Sequence, residues 1–163
     1  MKYPAIDIAF WFINSIDRES GDSISPLKLQ KLLYFAEAWT LVLLNRELLQ
    51  ENFEAWAHGP VVRSVYHEFK AYSWASIPPQ ERESETEIDP DTENVLRQVL
   101  DVYGEFSAKT LENMTHADAP WIEARGSLSP EARCTNRINK ARMKEHFLEK
   151  YGDAINGEAG ESS

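Results

Sequence analysis

The chain has few of the side chains that would reveal its chemistry at once. Cys134 is its only cysteine, which excludes an internal disulfide framework and any cysteine-based metal cluster within one chain. A reducing cytoplasm is the expected location. Long hydrophobic runs are missing too: the longest, around Leu41 to Leu44, falls far short of the roughly 20 residues that span a bilayer. The opening Met1-Lys2-Tyr3-Pro4-Ala5-Ile6-Asp7 places an acid at the edge of a short apolar run with no small-residue cleavage pattern after it, so no secretory signal and no membrane partner are expected. Basic charge is scarce, with 17 Lys and Arg against 27 Asp and Glu for a net charge of -10. Sequence-independent binding to phosphates needs the opposite balance, and nucleic acid is not an expected partner. There is no Gly-x-Ser-x-Gly, His-Glu-x-x-His, Walker or dinucleotide-binding glycine pattern. No cofactor and no metal is therefore expected.

What the chain does have is a core. At 163 residues, 42% apolar and rich in aromatic side chains, it is long enough for one domain that buries about 70% of the surface its unfolded form exposes. The fold expected is mainly α: a compact helical domain built around a central apolar helix, with a small β-hairpin. Ile6, Ala9, Phe10, Ile13 and Ile16 recur at helical spacing before the turn-forming Ser20-Gly21-Asp22. Ser25-Pro26 supplies an N-cap and a first-turn proline for a second helix, in which Leu29, Leu32, Leu33, Ala36, Trp39 and Leu43 repeat at three- and four-residue steps. Tyr34, Phe35, Leu41 and Val42 make that helix apolar on further faces, so it is expected to be surrounded. Lys28, Gln30 and Lys31 are expected on its exposed surface.

Past Asn45 the spacing shortens. Glu47 to Leu49 and the alternating Phe53 to Ala57 suggest the hairpin, and His58-Gly59-Pro60 reads as a strand-to-helix corner, with Pro60 at the first position of a helix carrying Val62, Val65, Tyr66 and Phe69. Residues 73 to 93 hold Ile77-Pro78-Pro79 and an acidic run, Glu81, Glu83, Glu85, Glu87, Asp89, Asp91 and Glu93, opposed only by Arg82, and are expected to be a solvated connection, exposed or mobile. A fourth helix follows Pro90 with Val95, Leu96, Val99, Leu100 and Tyr103 inward; Ser107 caps a fifth; Pro120-Trp121-Ile122 opens a short sixth ending by Gly126. Asn139 caps the last, with Ile138 and Met143 as a hydrophobic staple and Phe147, Leu148 and Tyr151 making apolar contacts before Gly152. The single domain is expected over residues 1–151, and 152–163 as a flexible polar tail.

Few residues suggest a site. His116 with Asp118 is the best acid–base pair, since a carboxylate can orient an imidazole and raise its basicity. No third partner stands at a recognised spacing, and capping or packing beside Trp121 accounts for His116 more simply. His58 and His67 lack the spacing of a metal pair, and Cys134 between Arg133 and Arg137 has no evident base. Seven of the 17 Lys and Arg residues fall between Arg125 and Lys150, a basic segment expected to pair with the acidic run at 81 to 93.

Four stretches together resemble the Panacea domain family, which includes SocA-like antitoxins and phage-associated GepA-type proteins. They are Leu27-Lys28-Leu29-Gln30-Lys31-Leu32-Leu33-Tyr34-Phe35; Phe53-Glu54-Ala55-Trp56 leading into His58-Gly59-Pro60-Val61-Val62 with Tyr66 and Phe69; Thr115-His116 with Pro120-Trp121; and Ile138-Asn139 to Phe147. The resemblance covers about residues 5 to 150, and its combination of motifs is fairly specific. It implies an antitoxin, not an enzyme, that binds and neutralises a cognate toxin protein encoded by the adjacent gene. A mechanism described within the family, delivery of the toxin to the ClpXP protease, is the alternative it brings; a small hydrolase using His116 and Asp118 is a further one from the residues themselves. Aromatic and arginine side chains carry most interface energy, which makes Trp56, His58, Arg63, Trp74 and Trp121 the expected partner-binding residues.

Overall fold

The computed structural model describes residues 2–81 and 86–161, with side chains as far as Asp153. Residues 82–85 of the acidic run therefore lie outside the described residues.

Helix α2 (Pro26–Leu43) is the axis of the domain. Ser25 caps it, its hydroxyl accepting from the Lys28 amide at 3.3 Å, and every residue from Leu29 to Ala38 is buried. A helix hydrophobic all round must be enclosed, and α2 is packed by α1 (Ala5–Ser15), α3 (Arg63–Phe69), α4 (Pro90–Tyr103), α5 (Ala108–His116) and α7 (Lys140–Glu161). Phe35 stacks on Tyr103 of α4 with ring centroids 4.0 Å apart, and Phe147 of α7 packs edge-on against Tyr34, Phe35 and Trp39. The caps read from sequence are present at Ser107 and Asn139, which accept from the amides of Thr110 at 3.1 Å and Arg142 at 3.0 Å.

The hairpin differs from its sequence reading. Its strands are β1 (Glu54–Trp56) and β2 (Gly59–Val61), paired antiparallel with Trp56 opposite Gly59 and Ala55 opposite Pro60. His58-Gly59-Pro60 is thus the return of the hairpin and not the start of a helix, which begins only at Arg63. Gly59 closes the turn at φ +106°, a region open mainly to glycine. Pro60 is tolerated because β2 pairs on one side only and is an edge strand. The other side of β1 is closed by the chain before α7: Ala55 donates to the Asn136 carbonyl and Ile138 to that of Phe53, each at 2.8 Å. Leu49 makes a parallel bridge to Tyr3 instead of joining the hairpin.

Three further expectations are corrected. Part of the acidic connection is anchored: Ile77 is buried and its amide bonds the Ile24 carbonyl at 2.8 Å, while Asp89 caps α4 through the Thr92 amide at 2.9 Å and accepts from Arg46 at 3.1 Å. The basic segment pairs mostly elsewhere, Lys140 with Glu37 at 2.7 Å and Arg142 with Glu123 at 2.9 Å. α7 continues past Gly152 to Glu161, although Gly152, Gly157 and Gly160 each cost a helix about 1 kcal/mol; Leu148 on that helix is exposed. No helix of the described residues is long and apolar enough to cross a membrane.

Candidate partner-binding surface

The hairpin rests on polar side chains of α2, which the sequence reading places in solvent. Gln30 and Lys31 are buried. The Gln30 amide pairs with both backbone groups of Val62, accepting from its N–H at 2.8 Å and donating to its carbonyl at 3.1 Å, so it supplies the ladder partner that the end of β2 lacks. Lys31 runs under the turn and donates from Nζ to the Pro60 carbonyl at 3.1 Å. Its fit is tight: a Cβ on Gly59 would stand 2.6 Å from Lys31 Cε and 2.7 Å from Thr115 Oγ1. Complete burial pulls the Lys31 amine down to about 7, against the opposing pull of the Glu112 carboxylate.

Glu112, on α5, collects the remaining charge beneath the hairpin tip. Its side chain is buried, yet it receives His58 Nδ1 at 2.8 Å and Lys109 Nζ at 3.5 Å. Burial alone would raise its pKa; the His58 hydrogen bond and the neighbouring cations hold it below the ordinary carboxylate range. The sequence reading passes over Glu112, although its position four residues before His116 places both on one helix face. His58 is turned outward, with 79% of its side chain exposed.

His116 and Asp118 are not brought together as a pair. The His116 ring stacks on Trp121 with centroids 4.4 Å apart, and its Nε2 lies 3.8 Å from Glu112. Burial lowers its pKa, opposed by Glu112 and by a hydrogen bond to the Ala57 backbone. Asp118 faces the other way, accepting from Tyr34 Oη at 3.0 Å and lying 3.1 Å from His146 Nε2. Among the described residues no cluster of His, Cys, Asp and Glu could hold a metal ion.

The other expected site residues divide by burial. Leu29, Leu32, Tyr34 and Val61 are core, as are Pro120 and Trp121 of α6 (Ala119–Arg125). Trp121 donates to the Trp56 carbonyl at 2.8 Å and Arg125 to that of Ala55 at 2.8 Å, so both fasten β1 from behind. Trp56, His58 and Arg63 face outward together. Trp56 packs edge-on against Tyr66 at 4.8 Å, and Arg63 holds Glu54 through two contacts at 2.9 and 3.1 Å.

Two clefts flank the Trp56–Tyr66 wall and share His58. One, of about 410 Å³, is apolar, lined by Leu27, Leu29, Val61, Val65 and Phe69. The other, of about 460 Å³, is lined by Arg63, His67, Glu131, Arg133, Cys134 and Thr135. Trp74 is 89% exposed and follows Ser73, which borders the apolar cleft. The surface thus offers aromatic anchors, an arginine and concave relief, all hung on a rigid polar underlay.

No solved structure matches this chain. Antitoxin SocA of Caulobacter vibrioides (strain NA1000 / CB15N) is 38% identical over an alignment of 111 residues that covers 60% of this chain and 58% of that relative's length. The family model described as Antitoxin SocA-like, Panacea domain, matches residues 29–122, a span that begins on the buried face of α2, contains the whole hairpin and ends on α6; the chain belongs to that family.

Proposed function

We propose that the chain is an antitoxin that binds a cognate toxin protein, encoded by the adjacent gene, and neutralises it by direct contact through the surface around Trp56, His58, Arg63 and Trp74. The observation that supports this most is the family match over residues 29–122, which includes the hairpin, its underlay and the exposed Trp74. Occlusion of a toxin needs no catalysis, and an interface of about 800 Å² per partner fits on this face. The separation of His116 from Asp118 leaves the hydrolase alternative without its acid–base pair.

The test is growth of cells expressing the neighbouring open reading frame with and without this chain. Rescue is expected, and alanine at Trp56, Arg63 and Trp74 is expected to reduce it while helical circular dichroism is unchanged. Trp121→Ala tests the scaffold, since that side chain is buried. A toxic neighbour that the chain does not rescue overturns the pairing. Rescue that disappears in cells lacking ClpXP points to proteolytic delivery in place of occlusion.

A further inference from the structure

The two clefts beside the hairpin share one wall and differ in chemistry, which constrains what they receive. Resting on the antitoxin reading above, we propose that together they read a single acidic segment of the partner protein, one bulky apolar side chain entering the cleft floored by Leu29, Val65 and Phe69 while neighbouring carboxylates meet Arg63, Arg133 and His67 across the Trp56–Tyr66 wall.

Charge selects this occupant. The whole chain carries -10, so an acidic segment is repelled from most of its surface and a basic one is drawn to it indiscriminately. Around the cleft lined by Arg63 and Arg133 the balance reverses. Arg63 and Arg133 face Glu131 there, with His58 and His67 beside them. Glu54, the partner of Arg63, is itself flanked by Arg137. Three guanidiniums thus stand against two carboxylates in a chain otherwise rich in acid. Guanidinium groups pair bidentately with carboxylates, and aromatic walls lower the entropy lost on contact because they have few torsions.

Geometry selects a continuous segment. Trp56, His58 and Tyr66 border both clefts, so residues adjacent in an extended peptide, rising about 3.3 Å each, reach from one to the other. The wall is held in place by α2 and α6 through the Gln30–Val62 and Trp121–Trp56 hydrogen bonds. A preformed receptor of this kind pays little ordering entropy on binding.

The test uses the full chain and random twelve-residue peptides displayed on phage. Selected peptides are synthesised and their binding followed by fluorescence anisotropy at low and high salt. Acid-rich sequences with one bulky apolar residue are expected, with affinity falling at least tenfold on Arg133→Glu and on Tyr66→Ala and weakening as salt rises. Arg133→Gln, which keeps most of the volume, is expected to give an intermediate loss. An empty selection, basic or unbiased peptides, or equal affinity for the variants would overturn the proposal. So would a dimer in sedimentation that Tyr66→Ala abolishes, since the face would then receive a second copy. Toxin rescue is read separately: rescue that survives both variants discards this segment-reading surface and leaves the antitoxin reading standing.

Discussion

Replacing Lys31 with methionine should make the protein more stable. Lys31 is completely enclosed, and its amine titrates near 7 against an ordinary 10.5. A base whose folded pKa is depressed binds fewer protons folded than unfolded between those two values, so stability rises with pH across that window. At about 1.36 kcal/mol per pKa unit, keeping this amine buried at pH 7 costs roughly 4 kcal/mol, and about 2 kcal/mol of that is recovered by pH 9. Methionine fills a similar volume without the amine. It removes the desolvation cost but orphans the Pro60 carbonyl, a loss of roughly 1–3 kcal/mol. The net expectation is a gain of about 2 kcal/mol at pH 7, shrinking toward zero or below by pH 9. Urea unfolding at pH 7, 8 and 9 on both proteins measures it. If the two pH profiles are parallel, Lys31 does not titrate in this range and the reasoning fails. The burial cost also bears on function, because the lysine contributes a shape, the supported Gly59–Pro60 turn, at the expense of stability.

Gly59→Ala meets both a positive φ of +106° and contacts under 3 Å with Lys31 and Thr115; a loss of about 2 kcal/mol or more is expected in thermal melts, with the hairpin face most affected in hydrogen exchange. Glu37→Ala removes the carboxylate that holds Lys140 at 2.7 Å and accepts from the amides of Leu48 and Leu49, and should cost about 3–5 kcal/mol; a loss under 1 kcal/mol would mean that Glu47 and the Leu49 carbonyl satisfy Lys140 without it. Partial burial pushes the Asp89 carboxyl up, but hydrogen bonds from Tyr3 and Thr92 and the Arg46 charge outweigh it and hold its pKa well below the usual range. Its contribution is therefore present above the unfolded value near 3.9 and lost as pH falls toward the folded one. Asp89→Ala should cost about 1–2 kcal/mol at neutral pH and flatten the acid limb of the stability profile; an unchanged acid limb would assign that limb to other carboxylates.

The helices and the placing of α2 at the centre were legible because periodicity and caps are local. Ser25, Ser107 and Asn139 announce helix starts within three residues of the amides they satisfy, and the apolar residues of α2 fall on more than one face, which marks a surrounded helix. The hairpin's pairing was not legible. Its second strand contains a proline and a glycine, which argue against a strand until one knows that a two-residue turn joins Trp56 to Gly59. Gln30 and Lys31 were misplaced for a related reason. Polar residues on a helix read as exposed unless a backbone segment with unpaired groups crosses them, and that segment, Gly59 to Val62, lies about thirty residues away. His116 and Asp118 are close in sequence, but they belong to the end of α5 and the cap of α6, and their side chains point to different partners.

These misplaced residues form one structural unit. A lone hairpin is marginal in water, and this one survives because its edge, end, turn and back are held: Asn136 and Ile138 on the outer edge of β1, Gln30 at the end of β2, Lys31 beneath the turn, Trp121 and Arg125 behind. Most of these contacts run from side chain to backbone, so they fix the path of the hairpin without specifying its outward side chains. Trp56 on the hairpin, with Arg63 and Tyr66 on the helix after it, can then vary in identity without disturbing the support, whereas His58 is tied to it through the buried Glu112 carboxylate. A domain built this way holds a fixed scaffold under a changeable surface, an arrangement that suits the partner binding proposed for this face. The same logic predicts that Gln30→Ala, which leaves the buried Val62 N–H unpaired and its carbonyl with the Tyr66 amide alone, will harm stability and partner binding together. Arg133→Gln, by contrast, should harm binding alone.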